Sequence, residues 1–244
     1  MSTLDFVSAS ADGIAGAGVP LVTAPTLMSG LGSHPAVTVP LVHGRPPATA
    51  LIWQRLATVA DFYGTEIPDA DALGTALTAF LDRAGPGATL AADVLVVPIH
   101  GRTQFLVSGA PIAPHRSEPV ALAVQPFQPV PQWRRVAADT TSRAADDLAA
   151  GELAAAGYVD SVDVDGDRIG RPARGALIFD GDRSRIGTGT SVLDLLIAAG
   201  LADDMTRTDD TVDVSSATTA WYVSPRFEIH PVSAVGARRF EVTS

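Results

Sequence analysis

Between residues 36 and 109 the spacing of apolar residues switches from two to about 3.6 and back to two, and this succession limits the chain to a mixed α/β fold. "AVTVPLVHG" (36–44) alternates as a half-buried strand does. "ATALIWQRLATVADFYG" then lines Leu51, Ile52, Leu56, Val59 and Phe62 along one helical stripe and stops at Gly64. A second helix is expected in "PDADALGTALTAFLDRAGPG", which opens with Pro68 and acidic residues and ends in Gly-Pro-Gly. "DVLVVPIHGRTQFLVSG" reads as two strands joined around Gly101, and the proline-rich "APIAPHRSEP" reads as a linker. The expected division is an N-terminal α/β domain over 1–113 and a C-terminal α/β domain over 114–244.

Beyond the linker, "VALAVQPF" is a strand and residues 142–156 form a helix. "YVDSVDVDGDRIGRPARGALIFDGD" reads as three short strands, with turns at Asp165-Gly166 and Asp180-Gly181. "GTGTSVLDLLIAAGLA" begins with glycines and hydroxyls and continues as an amphipathic helix, and "TAWYVSPRFEIHPVSAV" closes the chain as two strands around a Ser-Pro turn.

Several chemistries are closed to this chain by composition. It has no cysteine, so it has neither a thiolate metal site nor a cysteine nucleophile. Its histidines, His34, His43, His100, His115 and His230, never fall at the spacing that sets two ligands on one helix face, and no metal site is expected. The net charge of −10 argues against a nucleic-acid partner, since phosphate backbones are held by basic patches. The apolar runs fall short of the ~20 residues a membrane helix needs, so no membrane partner is expected and the location is read as cytoplasmic. All 17 basic residues are arginine. A chain without lysine can form no Schiff base through a side chain and has no lysine general base.

Two short motifs bear on binding. "DVDGD" (163–167) opens like a calcium loop, but Arg174 stands at the twelfth position where a glutamate is required, and a turn between strands is the reading. "GTGTS" (187–191), ahead of a helix, offers backbone N–H groups and hydroxyls either to an anion or to an ordinary N-cap.

Taken in order, the segments from about residue 36 onward resemble the class IV aminotransferases, the fold type IV pyridoxal-phosphate enzymes that include aminodeoxychorismate lyase. That family's first helix carries His-x-x-Arg-Leu, whose arginine grips the cofactor phosphate; "IWQRL" is similar at Arg55 and Leu56, with Ile52 in place of the histidine. The family's Lys-x-x-Asn-Arg resembles "DTTSR", so Asp139 stands where the Schiff-base lysine would be. The glutamate that would meet the pyridine nitrogen falls on Arg171. The phosphate loop "GITR" resembles "GTSV", with Gly189, Thr190 and Ser191 as donors, and "SPRFEIHPV" resembles the C-terminal strand, with Ser224 at a position that often touches phosphate. Arg102 lies in the strand pair that often lines the substrate side.

The resemblance implies a two-domain fold type IV architecture of α/β (α+β) class, a cleft between the domains and a homodimer. With Asp139 in the lysine's place, the expectation is a cofactor-independent enzyme with no pyridoxal phosphate, acting on a small anionic molecule by acid–base chemistry at Asp139. Arg55, Arg102, Arg171, residues 189–191 and Ser224 would bind the anion. Two alternatives stand beside it: a silent binding or partner protein, and an aminotransferase or lyase that holds pyridoxal phosphate noncovalently. Plainer readings also stand, with Asp139 as a helix cap, Arg55 as a surface residue and Ser224 as a turn former. Borohydride treatment in the presence of pyridoxal phosphate is expected to leave no reduced adduct on any side chain, as read by intact-mass spectrometry.

Overall fold

The computed structural model describes residues 4–10, 13–15, 33–99, 102–113, 118–126, 133, 136, 138–180 and 185–242. The chain forms two compact units, Met1–Ile112 with Val130–Arg143, and Ala113–Pro129 with Ala144–Ser244.

Unit 1 is built on an antiparallel sheet of β1 (Leu4–Ser10), β2 (Gly13–Ala15), β3 (Ala36–Val42), β4 (Thr89–Ile99) and β5 (Arg102–Pro111), in the order β2-β1-β5-β4-β3. The expected helices are α1 (Thr49–Tyr63) and α2 (Ala70–Ala84). Helix α1 buries Ile52, Leu56, Val59 and Ala60, and it ends because Gly64 takes a left-handed φ of 63° and returns its N–H to Asp61 O. Asp69 caps α2 by accepting a hydrogen bond from Ala72 N at 2.8 Å. That helix buries Leu73, Ala76, Leu77, Phe80 and Leu81 and packs against β1 and β5. A Cβ on Gly109 of β5 would lie 2.8 Å from Ala91 O of the neighbouring strand β4 and 3.3 Å from Phe80 Cε1 of α2, so a larger residue would press on the β4 backbone first and on the helix second.

One stretch from beyond the linker belongs to this unit. Residues 139–141 run antiparallel to the entry of β3: Ala36 N donates to Asp139 O at 2.8 Å, Thr141 N donates to His34 O at 3.0 Å, and Pro35 and Thr140 form a bridge. Thr141 Oγ1 also accepts from His34 N.

Unit 2 carries β6 (Val120–Gln125), α3 (Ala144–Ala155), β7 (Asp160–Asp165), β8 (Arg168–Pro172), β9 (Ala176–Asp180), β10 (Arg185–Thr188), α4 (Thr190–Ala198), β11 (Thr206–Thr208), β12 (Val212–Asp213), β13 (Thr219–Val223), β14 (Ile229–Val235) and β15 (Arg238–Arg239). Its ten strands make one sheet in the order β11-β10-β9-β13-β14-β6-β7-β8-β12, with β15 beside β14. Strands β6 and β7 are parallel, as two strands joined through a helix can be. Leu122, Val162, Leu177, Phe179, Tyr222 and Val232 are among the residues of its apolar core.

Mixed α/β architecture is therefore observed, and the expected helices are present. The Asp165-Gly166 turn holds Gly166 at a φ of 60° between β7 and β8. The hairpin tip at His100 and Gly101 and the turn at Gly181 lie outside the described residues. No described helix is long and apolar enough to cross a membrane. Gly109→Ala is expected to destabilise unit 1 by roughly 1–3 kcal/mol through overpacking, measured as a lower midpoint in thermal unfolding.

Candidate functional site

Arg55 lies on α1 beside the buried stripe, one residue before Leu56 and three after Ile52, so its stem runs along apolar neighbours while its head reaches the helix flank. There it meets Asp139. Arg55 Nη2 donates to Asp139 Oδ1 at 2.7 Å and to Oδ2 at 2.9 Å, and Nε donates to Oδ2 at 3.3 Å. The two side chains are part-buried, with 20% and 26% of their surface exposed to solvent. The pairing of residues 139–141 with the entry of β3 brings Asp139 to α1 across 84 residues of sequence. Asp139 is thus not the cap of α3, which begins at Ala144; the cap-like bond in this stretch is Ser142 N to Thr140 Oγ1 at 3.1 Å.

In unit 2 the strand β10 leads into α4 through Gly189, whose φ is 93°. A Cβ there would sit 2.7 Å from Gly175 O and 2.8 Å from Ala176 Cα, so only glycine lets the loop rest on the start of β9. Thr190 N, at the helix N-terminus, donates to Asp209 Oδ1 at 2.9 Å. Just before the loop, Thr188 Oγ1 is fully buried and has no hydrogen-bond partner among the described residues. Ser191, on the first turn, is exposed.

Ser224 forms a turn. Its Oγ accepts from Arg226 N at 3.2 Å and Glu228 N at 3.1 Å, and Ser224 N donates to Glu228 O at 2.9 Å. Arg171 is half-buried on β8, and its charge acts on Asp163 of β7. Burial pushes the Asp163 carboxyl above its ordinary range, opposed by a hydrogen bond with Gln125 and by the Arg171 guanidinium. Arg102 opens β5 in an exposed position. Arg55 and Asp139 are brought together in unit 1; residues 189–191, Ser224 and Arg171 belong to unit 2.

Two residues that the sequence reading did not single out matter here. Asp209 reaches the helix N-terminus from 19 residues away, and nothing in "TRTDDT" marks which aspartate will do so. Asp160 is fully buried at the start of β7. Its signal was legible: it falls in phase with Val162 and Val164, on the face that packs into the core.

No protein-family profile matches the sequence, and no curated protein does. Solved structures do match. A hypothetical aminotransferase from Mycobacterium tuberculosis in a pyridoxal-phosphate-bound form superposes with a TM-score of 0.70 at 18% identity, over 98% of this chain and 94% of that one. The fold IV transaminase of Curtobacterium pusillum gives 0.68 at 18% identity, over 98% and 94%. A putative 4-amino-4-deoxychorismate lyase from Legionella pneumophila gives 0.62 at 13% identity, over 87% of each chain. The chain has the fold of the class IV aminotransferases. This is the architecture that the order of "IWQRL", "DTTSR", "GTSV" and "SPRFEIHPV" implies.

The comparison corrects one expectation, that of no cofactor. The Mycobacterium tuberculosis aminotransferase is known with pyridoxal phosphate and also with pyridoxamine phosphate and α-ketoglutarate, the latter at a TM-score of 0.67. Pyridoxamine phosphate carries an amine where pyridoxal phosphate has its aldehyde, so it is held without a lysine imine. The missing lysine therefore excludes covalent attachment and not the cofactor. In each unit, taken by itself, a carboxylate occupies donors of the kind that hold an oxyanion: Asp139 at Arg55 in unit 1, and Asp209 at the N-terminus of α4 in unit 2. Replacing Asp209 by alanine is expected to cost about 0.5–2 kcal/mol, the range for loss of an N-terminal cap, while Asp139→Asn costs under about 1 kcal/mol; equilibrium denaturation measures both.

Proposed function

We propose that this class IV aminotransferase-fold protein binds pyridoxal phosphate or pyridoxamine phosphate noncovalently and acts, as a homodimer, on small anionic amino or keto acids. The observation that supports this is the bidentate grip of Arg55 on a carboxylate at 2.7 and 2.9 Å, in a position that solvent can reach. A guanidinium that holds one planar oxyanion in this way can exchange it for a phosphate.

That exchange has a chemical consequence at Asp139. While paired, both of its oxygens accept hydrogen bonds from Arg55. A phosphate on Arg55 releases the carboxylate beside the ligand, where Asp139 Oδ1 or Oδ2 can take and return a proton. The cofactor, when bound, supplies an electron sink for charge developing beside the substrate's amino-bearing carbon. Within unit 2, taken by itself, the N-terminus of α4 offers a second donor: Thr190 N–H would donate to an anion in place of Asp209.

Titration with pyridoxamine phosphate, followed by calorimetry and by thermal shift, tests the reading. Ligand at 100 times its Kd should add about 2.7 kcal/mol of stability. Arg55→Ala should weaken binding by roughly tenfold or more, since hydrogen bonds to charged groups contribute about 1.5–3 kcal/mol. Asp139→Asn, which removes the competing charge, should tighten it. Equal affinity in wild type and Arg55→Ala, or no binding by either, overturns the proposal.

A further inference from the structure

A fully buried carboxylate is unfavourable by several kcal/mol unless its lone pairs are filled, so the partners of Asp160 indicate what it holds in place. Its Oδ2 accepts three hydrogen bonds: from Arg174 N at 3.1 Å, Gly175 N at 3.0 Å and Tyr222 Oη at 3.0 Å. Oδ1 accepts from Ser161 N at 2.8 Å and lies 4.0 Å from Arg174 Nε. Arg174 in turn donates from Nη2 to Val159 O at 3.0 Å, so the guanidinium is tied to the same strand entry. Burial, the Asp160 charge and the shared hydrogen bond together push the Tyr222 hydroxyl above its ordinary pKa, and it remains a proton donor to Asp160.

The backbone that these bonds fix is residues 174–175, immediately before β9. On one side of Gly175 stands the end of β13: a Cβ on Gly175 would run into Val223 O and the Tyr222 ring, and Ala176 pairs with Val223 in the sheet. On the other side stands Gly189, which touches Gly175 O and Ala176 and carries the N-terminus of α4. Thr188, one residue before, pairs with Leu177 of the same strand. Contact with 175–176 holds the N-terminus of α4 on one side and the bond from Thr190 N to Asp209 holds it on another, while Asp160 holds the 174–175 backbone together with the sheet.

We propose that Asp160 is a positioning residue that sets the loop 187–191 through the 174–175 backbone. The value of that loop as an anion donor rests on the function proposed above; its dependence on Asp160 does not. An asparagine at 160 keeps one oxygen and loses the charge, so whichever way its amide turns, an NH2 group faces either the three donors gathered on Oδ2 or Ser161 N and the Arg174 guanidinium, and the set that fixes 174–175 loses an acceptor.

Hydrogen–deuterium exchange on the full chain without ligand tests this directly. In Asp160→Asn, amides of 187–193 should exchange about tenfold faster or more, while α2 in unit 1 keeps its wild-type protection. Tyr222→Phe removes one donor but leaves the acceptor for both amides, and it should leave exchange at 187–193 unchanged. Should Asp160→Asn fail to fold, Arg174→Ala removes only the guanidinium and should produce a smaller rise over both 173–176 and 187–193. Wild-type protection of 187–193 in a folded Asp160→Asn variant, or a rise in Arg174→Ala that stops at 176, overturns the proposal. Pyridoxamine phosphate affinity, measured in parallel, should fall with loop protection in Asp160→Asn and not in Tyr222→Phe. If wild type does not bind that probe, the anion reading fails while the exchange result still decides the role of Asp160.

Discussion

The pairing of three residues, 139–141, with the entry of β3 is the constraint on which the candidate chemistry of unit 1 depends. Without the bonds from Ala36 N to Asp139 O and from Thr141 N to His34 O, the stretch before α3 would have no fixed relation to α1. With them, Asp139 faces Arg55, and its carboxylate accepts from Nε and Nη2 of the guanidinium. The backbone of Asp139 is held by the sheet entry, while among the described residues its side chain is held by Arg55.

Unit 2 repeats this arrangement by other means. An aspartate from a distant loop, Asp209, closes the N-terminus of α4 as Asp139 closes Arg55. In both places a side chain of the protein satisfies a donor that a phosphate could use. An anion binding at either point replaces an internal acceptor, so its affinity is the difference between two oxyanions and not the full strength of the contact.

Much of the architecture was legible in the sequence because burial follows period. The stripe Ile52, Leu56, Val59 gave α1, Gly64 gave its end, and the long alternation from Asp93 to Ser108 gave the β4–β5 hairpin. Strands β1 and β2 were not legible in the loose, glycine-rich start, nor were β10, β11 and β12, which are two to four residues long and too short for a period to show. At the candidate site, the sequence order suggested Arg55 and Asp139 separately. Their mutual pairing was not legible, because it depends on a contact across 84 residues that no local pattern records. The same holds for Asp209, whereas Asp160 was readable as a charge in an apolar phase.

The chain's path between its units has a consequence for how the protein is made. It leaves unit 1 after Ile112, returns at Val130 and leaves again after Arg143. On a ribosome, β6 of unit 2 emerges before the stretch that completes unit 1. Unit 1 therefore waits with one edge of the entry of β3 open, its other edge being paired with β4, while β6 has neither β7 nor β14 to join. Synthesis passes through a stage in which both units have exposed strand edges, the condition under which nascent chains associate with one another or recruit chaperones.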